Sequence, residues 1–313
     1  MVLPVVAGGF LGWALGANDA ANCFGTAVRS GMLRFRTATL LCAVMVVVGA
    51  LLEGHAGIET LGGLTSQTAL TAGLTALSAA ITVTVMTLLG LPISTSQAVV
   101  GAILGIGLMQ RQLNLEGLEK VVVCWVGTPL GALLLAAALY PLLGRLYNRL
   151  DLGVYRQDEA LRIGLIAVGC YGGYALGANN VANVSAVLVA SGLSTPLEAT
   201  LIGGGSIALG ALTFSRRVMA TVGSGVVKLD AFSALVVVLA EALTVHVYAW
   251  VGVPVSTSQA VVGAVVGVGL VRGLRSVRLR RLRNIALGWL LTPAIGAALS
   301  AALYFVTHLR YVG

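Results

Sequence analysis

An eleven-residue segment occurs twice in this chain, and this repeat restricts the fold more than any other feature of the sequence. Residues 92–102 read PISTSQAVVGA and residues 254–264 read PVSTSQAVVGA, so the two copies differ at one position. A second pair precedes them, GANDAAN at 16–22 and GANNVAN at 177–183, at nearly the same offset of about 161 residues. Repeated motifs in the same order indicate a chain that folds as two copies of one unit.

Composition shows which solvent the two copies face. Hydrophobic residues make up 58% of the chain and charged residues 10%, and the mean hydropathy is +0.97. Several apolar runs reach the ~20 residues that a helix needs to cross a bilayer. The first run, residues 2–28, lacks the basic segment and cleavage site of a secretory signal, so we predict a retained span. We therefore predict an all-α integral membrane protein whose solvent is the lipid bilayer.

Each half is predicted to contain five helices in the same order. They cover 2–28, 37–52, 68–89, 98–109 and 120–143 in the first half, and 163–190, 197–214, 231–251, 260–271 and 284–307 in the second. The fourth helix of each half has about twelve residues and rises about 18 Å, which is too short to span a bilayer. We therefore predict a re-entrant helical hairpin in each half, and a first helix that is broken at its asparagine-rich motif.

Lysine and arginine residues indicate that the two repeats are inserted in opposite directions. If the first half begins outside the cell, all of the 19 Lys and Arg residues except Arg111, Lys120 and Arg310 fall in cytoplasmic loops. Equivalent loops differ in character, since residues 29–36 hold three arginines and residues 191–196 are uncharged. By the positive-inside rule the repeats are inverted, and both termini are extracytoplasmic in a multi-pass protein of the plasma membrane.

The same charges define the predicted domain organisation. A first inverted repeat at 1–144 and a second at 163–313 are joined by a cytoplasmic linker at 145–162. The net charge of +8 comes from short loops between apolar segments and not from a folded basic surface. We therefore expect no nucleic-acid partner.

Asn18, Asp19 and Asn22 lie deep in the first predicted helix, after about 16 apolar residues. Asn18 and Asn22 are four residues apart and share a helix face. A carboxylate at this depth is costly unless it meets a cation, a proton or a polar partner. The motif therefore predicts part of a binding site at the bilayer midplane, as in secondary transporters with inverted repeats. The alternative is that the asparagines only join neighbouring helices by hydrogen bonds.

The two STSQ segments, 94–97 and 256–259, stand at the beginning of the predicted short helices. The first turn of a helix has free N–H groups and partial positive charge, so hydroxyl groups there suit a phosphate-like oxyanion without any Lys or Arg. Two such tips, one from each half, can hold one anion. The alternative is that the hydroxyl groups only satisfy backbone groups freed by Pro92 and Pro254, although this does not explain the two glutamines.

As a set, these motifs resemble those of the PiT inorganic phosphate transporters, which have two GANDVANA-like motifs and paired hydroxyl-rich hairpins. The resemblance covers nearly the whole chain, apart from the large central cytoplasmic loop of some members. It implies uptake of inorganic phosphate driven by sodium or protons, a homodimer, and no cofactor beyond the coupling cation. It also implies that the anion lies between the hairpin tips and the cations beside the Asn/Asp motifs.

Residue by residue, the resemblance assigns the anion to six hydroxyl-bearing side chains: Ser94, Thr95, Ser96, Ser256, Thr257 and Ser258. It assigns sodium to six side chains with oxygen ligands: Asp19, Asn22, Asn180, Asn183, Gln97 and Gln259. Asn18 and Asn179 are the supporting polar residues. The four cysteines show no metal-ligand spacing, so sodium is the only metal that we expect.

One position departs from the family pattern. The family usually has Asp in both motifs, whereas Asn180 stands at the acidic place of the second. Asn keeps a carbonyl ligand for sodium but neither neutralises it nor carries a proton, so the coupling ion and its stoichiometry stay open. Related permeases of the same superfamily carry sulfate, which is the alternative substrate.

Glu241 lies midway along the long apolar arm of the second half, and its first-half counterpart near Ala79 is apolar. Burial disfavours the charged form of an unpaired carboxylate, so Glu241 is a candidate proton site or gate. The alternative is a carboxylic acid that is hydrogen-bonded inside the bundle. His246, five residues further on, is its poorly aligned candidate partner.

Two other classes of protein fit this sequence less well than a transporter does. An intramembrane serine hydrolase needs a base within hydrogen-bond reach of its serine, and the chain offers only three histidines. An enzyme also needs its nucleophile once, not twice, so we predict that the chain is not an enzyme. A passive anion channel stays an alternative to secondary active transport.

Overall fold

The computed structural model describes residues 2–88, 93–151, 153–222, 229–273 and 279–312. Over these ranges all regular structure is helical. The helices found there are α1 (Val2–Arg29), α2 (Phe35–Glu53), α3 (His55–Gly62), α4 (Ala69–Leu88), α5 (Thr95–Gln110), α6 (Leu115–Arg149), α7 (Val154–Ala190), α8 (Pro196–Thr213), α9 (Ser215–Val222), α10 (Ala231–Val251), α11 (Thr257–Arg272) and α12 (Leu279–Val312).

Six helices in the described ranges are long and apolar enough to cross a bilayer: α2, α4, α6, α7, α10 and α12. With 16 residues each, α5 and α11 are too short for a full span. The 28 residues of α1 are enough for one, but α1 is not among the six because Asn18, Asp19 and Asn22 make it less apolar. The chain is therefore a multi-pass membrane protein, as its apolar runs predict.

The spans differ in how deeply they are buried by the rest of the protein. Within α4 and α10 the buried share of the apolar window is 67% and 61%, whereas within α6 and α12 it is 28% and 22%. The first pair is therefore internal and the second pair peripheral. The large buried side chains Leu11, Leu15 and Phe24 of α1 are completely enclosed, so α1 runs through the centre of the apolar core.

Packing between the halves is reciprocal. The helices α1 to α6 correspond in order to α7 to α12, and a contact in one half has its counterpart in the other. Thus α1 packs on α8 as α7 packs on α2, and α6 packs on α11 as α12 packs on α5. Each short helix is therefore held by the last long helix of the other half.

Glycines allow the helices of the two halves to approach to backbone distance. A Cβ atom at Gly16 would overlap the carbonyl oxygen of Ile207 on α8, and a Cβ atom at Gly177 would overlap that of Val46 on α2. Gly16 and Gly177 occupy equivalent places in the two GAN motifs. The glycine of each motif is therefore fixed by close helix packing.

The prediction that the first helix of each half is broken is wrong. Both α1 and α7 run as continuous α-helices through their asparagine-rich motifs. These motifs contain no proline, and none of their described residues has a positive φ angle. Their polar side chains bond to neighbouring helices, so the motif reaches its partners without opening its own backbone.

Charged segments near the helix ends are more helical than predicted. The segments between predicted helices at 53–67 and 215–230 contain α3 and α9, and α6 and α7 extend into the predicted linker at 145–162. Arg, Glu and Gln are good helix formers, so helices continue beyond the apolar segments that reveal them. Pro92, Lys228, Arg275 and Arg278 lie outside the described residues.

Candidate functional site

The two STSQ segments begin α5 and α11, as predicted. Ser94 and Ser256 have extended backbones and serve as the N-caps. The Oγ atom of Ser94 accepts a hydrogen bond from the backbone N–H of Gln97 at 3.3 Å, and that of Ser256 accepts one from Gln259 at 3.2 Å. Except for the half-buried Ser258, the polar side chains of both segments are buried. Two capped helix N-termini thus stand inside the protein.

The two tips are bonded to each other in the same way from both sides. Ser96 Oγ donates a hydrogen bond to the carbonyl oxygen of Val255 at 3.0 Å. Ser258 Oγ donates one to the carbonyl oxygen of Ile93 at 2.5 Å. Ser96 corresponds to Ser258 in the repeat, and Ile93 corresponds to Val255. The hydroxyl groups that the resemblance assigns to one anion therefore meet at one junction.

The acidic motif lies directly beside this junction. Asp19 is 1% exposed, and its Oδ2 atom accepts hydrogen bonds from Thr95 Oγ1 at 2.8 Å and from Asn180 Nδ2 at 2.9 Å. Asp19 and Asn180 are equivalent residues of the two repeats. Asn180 thus acts as a donor to the carboxylate, which an aspartate at this place would do only when protonated.

The last asparagine of each motif also reaches a tip. Asn22 Nδ2 donates to Thr257 Oγ1 at 3.0 Å, and Asn183 Nδ2 donates to Ser96 Oγ at 3.0 Å. Each asparagine therefore bonds to the tip of the other half. Hydrogen bonds join α1, α5, α7 and α11 into a single polar cluster within an apolar bundle.

Three oxygen atoms of this cluster have no hydrogen-bond partner among the described residues. They are Gln97 Oε1, Asn183 Oδ1 and Gln259 Oε1, and all three are buried. Buried carbonyl oxygens are normally paired, so unpaired ones need an explanation. Hard cations prefer carboxylate and carbonyl oxygens, and all three side chains belong to the predicted sodium ligands. With the carboxylate of Asp19 nearby, these residues fit a monovalent cation such as sodium.

The supporting asparagines have different partners in the two halves. The side chain of Asn179 bonds to the backbone of Val255 in the second tip. Asn179 Nδ2 donates to Val255 O at 2.9 Å, and Asn179 Oδ1 accepts from Val255 N at 3.2 Å. Asn18 Nδ2 instead donates to Thr87 Oγ1 on α4 at 2.9 Å. The alternative of plain interhelical hydrogen bonding therefore describes these two residues.

His246 does not pair with Glu241, which corrects the sequence-based suggestion. Its Nε2 atom lies 2.6 Å from Glu53 Oε2, and its Nδ1 atom lies 2.8 Å from the hydroxyl oxygen of Tyr171. Residues five apart on a helix face different directions, so the geometry of α10 separates the two side chains. Trp250 Nε1 donates to the same Glu53 oxygen at 3.0 Å.

This second polar cluster is not evident from the sequence. Glu53 ends an apolar run and falls outside the predicted helix at 37–52, although it is the last residue of α2. Its counterpart in the repeat is Phe214, so repeat symmetry gives no indication of the pair. The available signal was an acidic residue at the end of a span with no lysine or arginine close in sequence.

Comparison with known proteins adds independent information. Residues 15–300 match the family described as the Phosphate transporter family. The chain is 29% identical to a protein of Methanocaldococcus jannaschii provisionally named as a phosphate permease, and the match covers 94% of this chain and 93% of that protein. It is also 29% identical to the sulfate permease CysP of Bacillus subtilis, over 93% of this chain and 83% of CysP.

A solved structure shares the fold. It is described as the sodium-dependent phosphate transporter, and it superposes with a TM-score of 0.87 at 27% sequence identity. The match covers 98% of both chains. The arrangement of α1 to α12 is therefore that of a known membrane transporter.

Proposed function

The chain belongs to the phosphate transporter family, and from this premise we propose that it is a secondary active transporter that imports inorganic phosphate with sodium. The observation that supports this most directly is the meeting of two hydroxyl-rich helix N-termini beside Asp19, on segments whose glutamines carry buried, unpaired amide oxygens. Such a junction combines anion donors with cation ligands, which is the combination that a symporter needs.

Phosphate would be held by the first turns of α5 and α11. Their hydroxyl groups and free N–H groups are donors, and the helix N-termini favour negative charge. Ser96 and Ser258 now donate to backbone carbonyls of the opposite tip, and Thr95 donates to Asp19. An anion that enters between the tips replaces these acceptors, so the tips must separate to bind it.

Sulfate is the second candidate substrate, because the similarity to the sulfate permease CysP is as high as that to the archaeal relative. Chemistry at Asp19 favours phosphate. At neutral pH phosphate carries at least one O–H group, which can donate to the carboxylate, whereas sulfate carries none. A carboxylate that faces sulfate has no donor to accept from and repels it.

Sodium would be held by Asp19, Asn22, Gln97, Asn180, Asn183 and Gln259. When bound, it supplies positive charge beside the anion and beside the carboxylate. The backbone N–H groups of Gln97 and Gln259 donate to the capping serines. These bonds fix the backbone from which the two glutamine side chains extend. Only Asp19 carries charge there, so the ligand set is electrically unequal between the halves.

Alternating access is the proposed mechanism. The two halves are inserted in opposite directions, with both termini outside the cell, and each hairpin moves with α1 and α7 against the remaining spans. The loop charges and the reciprocal packing of α1 on α8 and α7 on α2 support this arrangement. The homodimer that the resemblance implies is part of the same proposal, and cross-linking of the whole protein in bilayers tests it.

Uptake into proteoliposomes tests the function. We expect labelled phosphate to accumulate when an inward sodium gradient is imposed and labelled sulfate to accumulate much less. Accumulation under a proton gradient alone would replace sodium as the driver, and preferential uptake of sulfate would replace phosphate as the substrate. Unlabelled phosphate on the far side should accelerate uptake, because a carrier shows counterflow and a passive channel does not.

Thr95→Val provides a matched variant for this assay. It keeps the shape of the side chain and removes the hydroxyl group that donates to Asp19 at 2.8 Å. We expect sodium-driven uptake to fall about tenfold or more, since a hydrogen bond to a charged group is worth ~1.5–3 kcal/mol. Thr213→Val is the control, because the hydroxyl group of Thr213 is exposed and donates to the backbone carbonyl of Leu209. This variant should leave uptake unchanged.

A further inference from the structure

Glu241 is a buried carboxyl group for which the packing supplies no complete set of partners. It lies in the middle of α10 and is 1% exposed, and its Oε2 atom has no hydrogen-bond partner in the part of the chain that the structure describes. Val237, Val238 and Val245 surround it on its own helix and are all buried. Glu241 is therefore not a carboxylic acid whose two oxygen atoms are both hydrogen-bonded inside the bundle.

The first half shows that this arm does not need a carboxyl group for its packing. Ala79 of α4 is the counterpart of Glu241 and is fully buried, so an apolar side chain completes the same position. A buried carboxyl group without full hydrogen bonding destabilises a protein compared with an apolar one. The presence of Glu241 therefore points to a function.

Among the described residues, the groups that face Glu241 offer it no positive charge. The ionisable side chains close enough to act on it are Asp19 and Cys23 from α1 and Cys42 from α2. The helices α3, α6, α7 and α11 also pack on α10, but none contributes a charged side chain to this set. His246 of α10 is bonded to Glu53. A neutral, protonated carboxyl group is the form that these surroundings favour.

The surroundings of Glu241 also favour a proton over a metal ion. A sodium ion needs several oxygen ligands, and the cluster at Asp19 provides carboxylate, hydroxyl and amide oxygens. Three of the four residues one turn from Glu241 on α10 are valines, and the hydroxyl group of the fourth, Thr244, donates to the backbone carbonyl of Ala240. The cation that suits Glu241 is therefore the proton.

We propose that Glu241 is a proton-binding site of this transporter, loaded and unloaded during transport in addition to the cation exchanged beside Asp19. This inference rests on the proposed transport of phosphate. Asn180 leaves the central cluster with one acidic group, and Glu241 gives the interior a second. The two acids are coupled by charge, so a cation beside Asp19 makes it easier for Glu241 to release its proton to water.

The test uses the whole protein in liposomes that contain a pH-sensitive dye. Wild type should move protons together with labelled phosphate, and net uptake should change about fivefold or more between pH ~6 and pH ~8, because the occupancy of a titrating group changes over such a range. Glu241→Gln keeps the size of the side chain and cannot ionise, so its uptake should change less than about twofold over the same range and its proton movement should disappear.

Exchange of labelled for unlabelled phosphate separates this role from a structural one. Exchange requires no net proton movement, so Glu241→Gln should retain it. Glu119→Gln, which alters an exposed glutamate near the start of α6, is the matched control and should resemble wild type in every assay. Thermal unfolding of each variant establishes that it is folded.

Each remaining outcome decides between the two proposals. Wild type that takes up no phosphate overturns the proposed function itself. If wild type transports and Glu241→Gln keeps both its pH dependence and its proton movement, the proton site is refuted. A folded variant that loses exchange as well as net uptake also refutes it. If Glu241→Gln does not fold, Glu241→Asp provides the test. This variant should keep proton movement, and the pH profile of its phosphate uptake should shift. An unshifted profile counts against the proton site.

Discussion

Asn180 donates a hydrogen bond to Asp19 across 2.9 Å, and the two residues hold the same place in the two copies of the repeat. Equivalent positions therefore meet where the halves meet. A second aspartate there would bring two carboxylates within hydrogen-bond distance, and both could ionise only if a cation lay between them. The asparagine removes this requirement and keeps the contact.

We therefore predict that the stability of Asn180→Asp depends more strongly on sodium than that of the wild type. In sodium-free buffer the melting temperature should fall by about 2–4 °C for each kcal/mol of charge repulsion. Sodium should restore it, because a ligand that binds only the folded state stabilises that state. Thermal unfolding in sodium chloride and in choline chloride measures this difference. Equal melting temperatures in both salts would show that no cation binds between the two residues.

The serines that join the tips should differ in their effect on stability. Ser96→Ala removes the bond to Val255 and the acceptor of Asn183, whereas Ser258→Ala removes the bond to Ile93 and a contact with Ser256. We expect Ser258→Ala to cost about 0.5–1.5 kcal/mol, and Ser96→Ala to cost more because it leaves the buried Asn183 amide group without an acceptor. Melting temperatures measure both, with Ser191→Ala as control. The opposite order would contradict the hydrogen-bond assignment.

Glu53 should be coupled energetically to His246. Glu53→Gln keeps an oxygen for Trp250 but loses the charge that faces His246, and the glutamate is 29% exposed, so we expect a loss of about 1 kcal/mol. The loss should shrink when His246 is replaced by Asn, since a double-mutant cycle isolates the interaction between the pair. Thermal unfolding of the four proteins provides the cycle. Additive losses would show that the contact contributes nothing.

Gly177→Ala should disrupt the contact between the halves. The added Cβ atom would overlap the carbonyl oxygen of Val46, so α2 and α7 must move apart, and overpacking of this kind costs about 1–3 kcal/mol or more. Gly9→Ala in α1 is the matched control, because a Cβ atom there meets no atom within 4 Å. It should raise stability by up to ~1 kcal/mol through helix propensity. Opposite signs are expected in the melting temperatures of the two variants.

Features that the sequence repeats were predicted well, because a repeated local motif has the same local structure. Ser94 and Ser256 cap helices that begin at the predicted STSQ segments. The helix α10 has the bounds that were predicted from its apolar run, 231–251. Hydrophobic length and capping chemistry act over a few residues, and the sequence displays them directly.

Features that depend on distant partners could not be predicted. Asn18 and Asn179 occupy the same place in the repeat, yet one bonds to Thr87 and the other to the backbone of Val255. Nothing in the motif distinguishes them, because the difference comes from the neighbouring helices. The prediction that α1 is broken was wrong for a related reason. Polar residues inside a span indicate that hydrogen-bond partners lie nearby, but they do not show whether the backbone or the side chain makes the bond.

The reciprocal packing of α5 on α12 and of α11 on α6 also has a consequence for synthesis. When the ribosome has released α5, the helix that supports it has not yet been made, and about 170 residues must follow before α12 begins. The first tip therefore stays unsupported until late in translation. A nascent chain that has inserted only its first half therefore lacks the second tip as well, and the junction between the two tips forms only when synthesis is nearly complete.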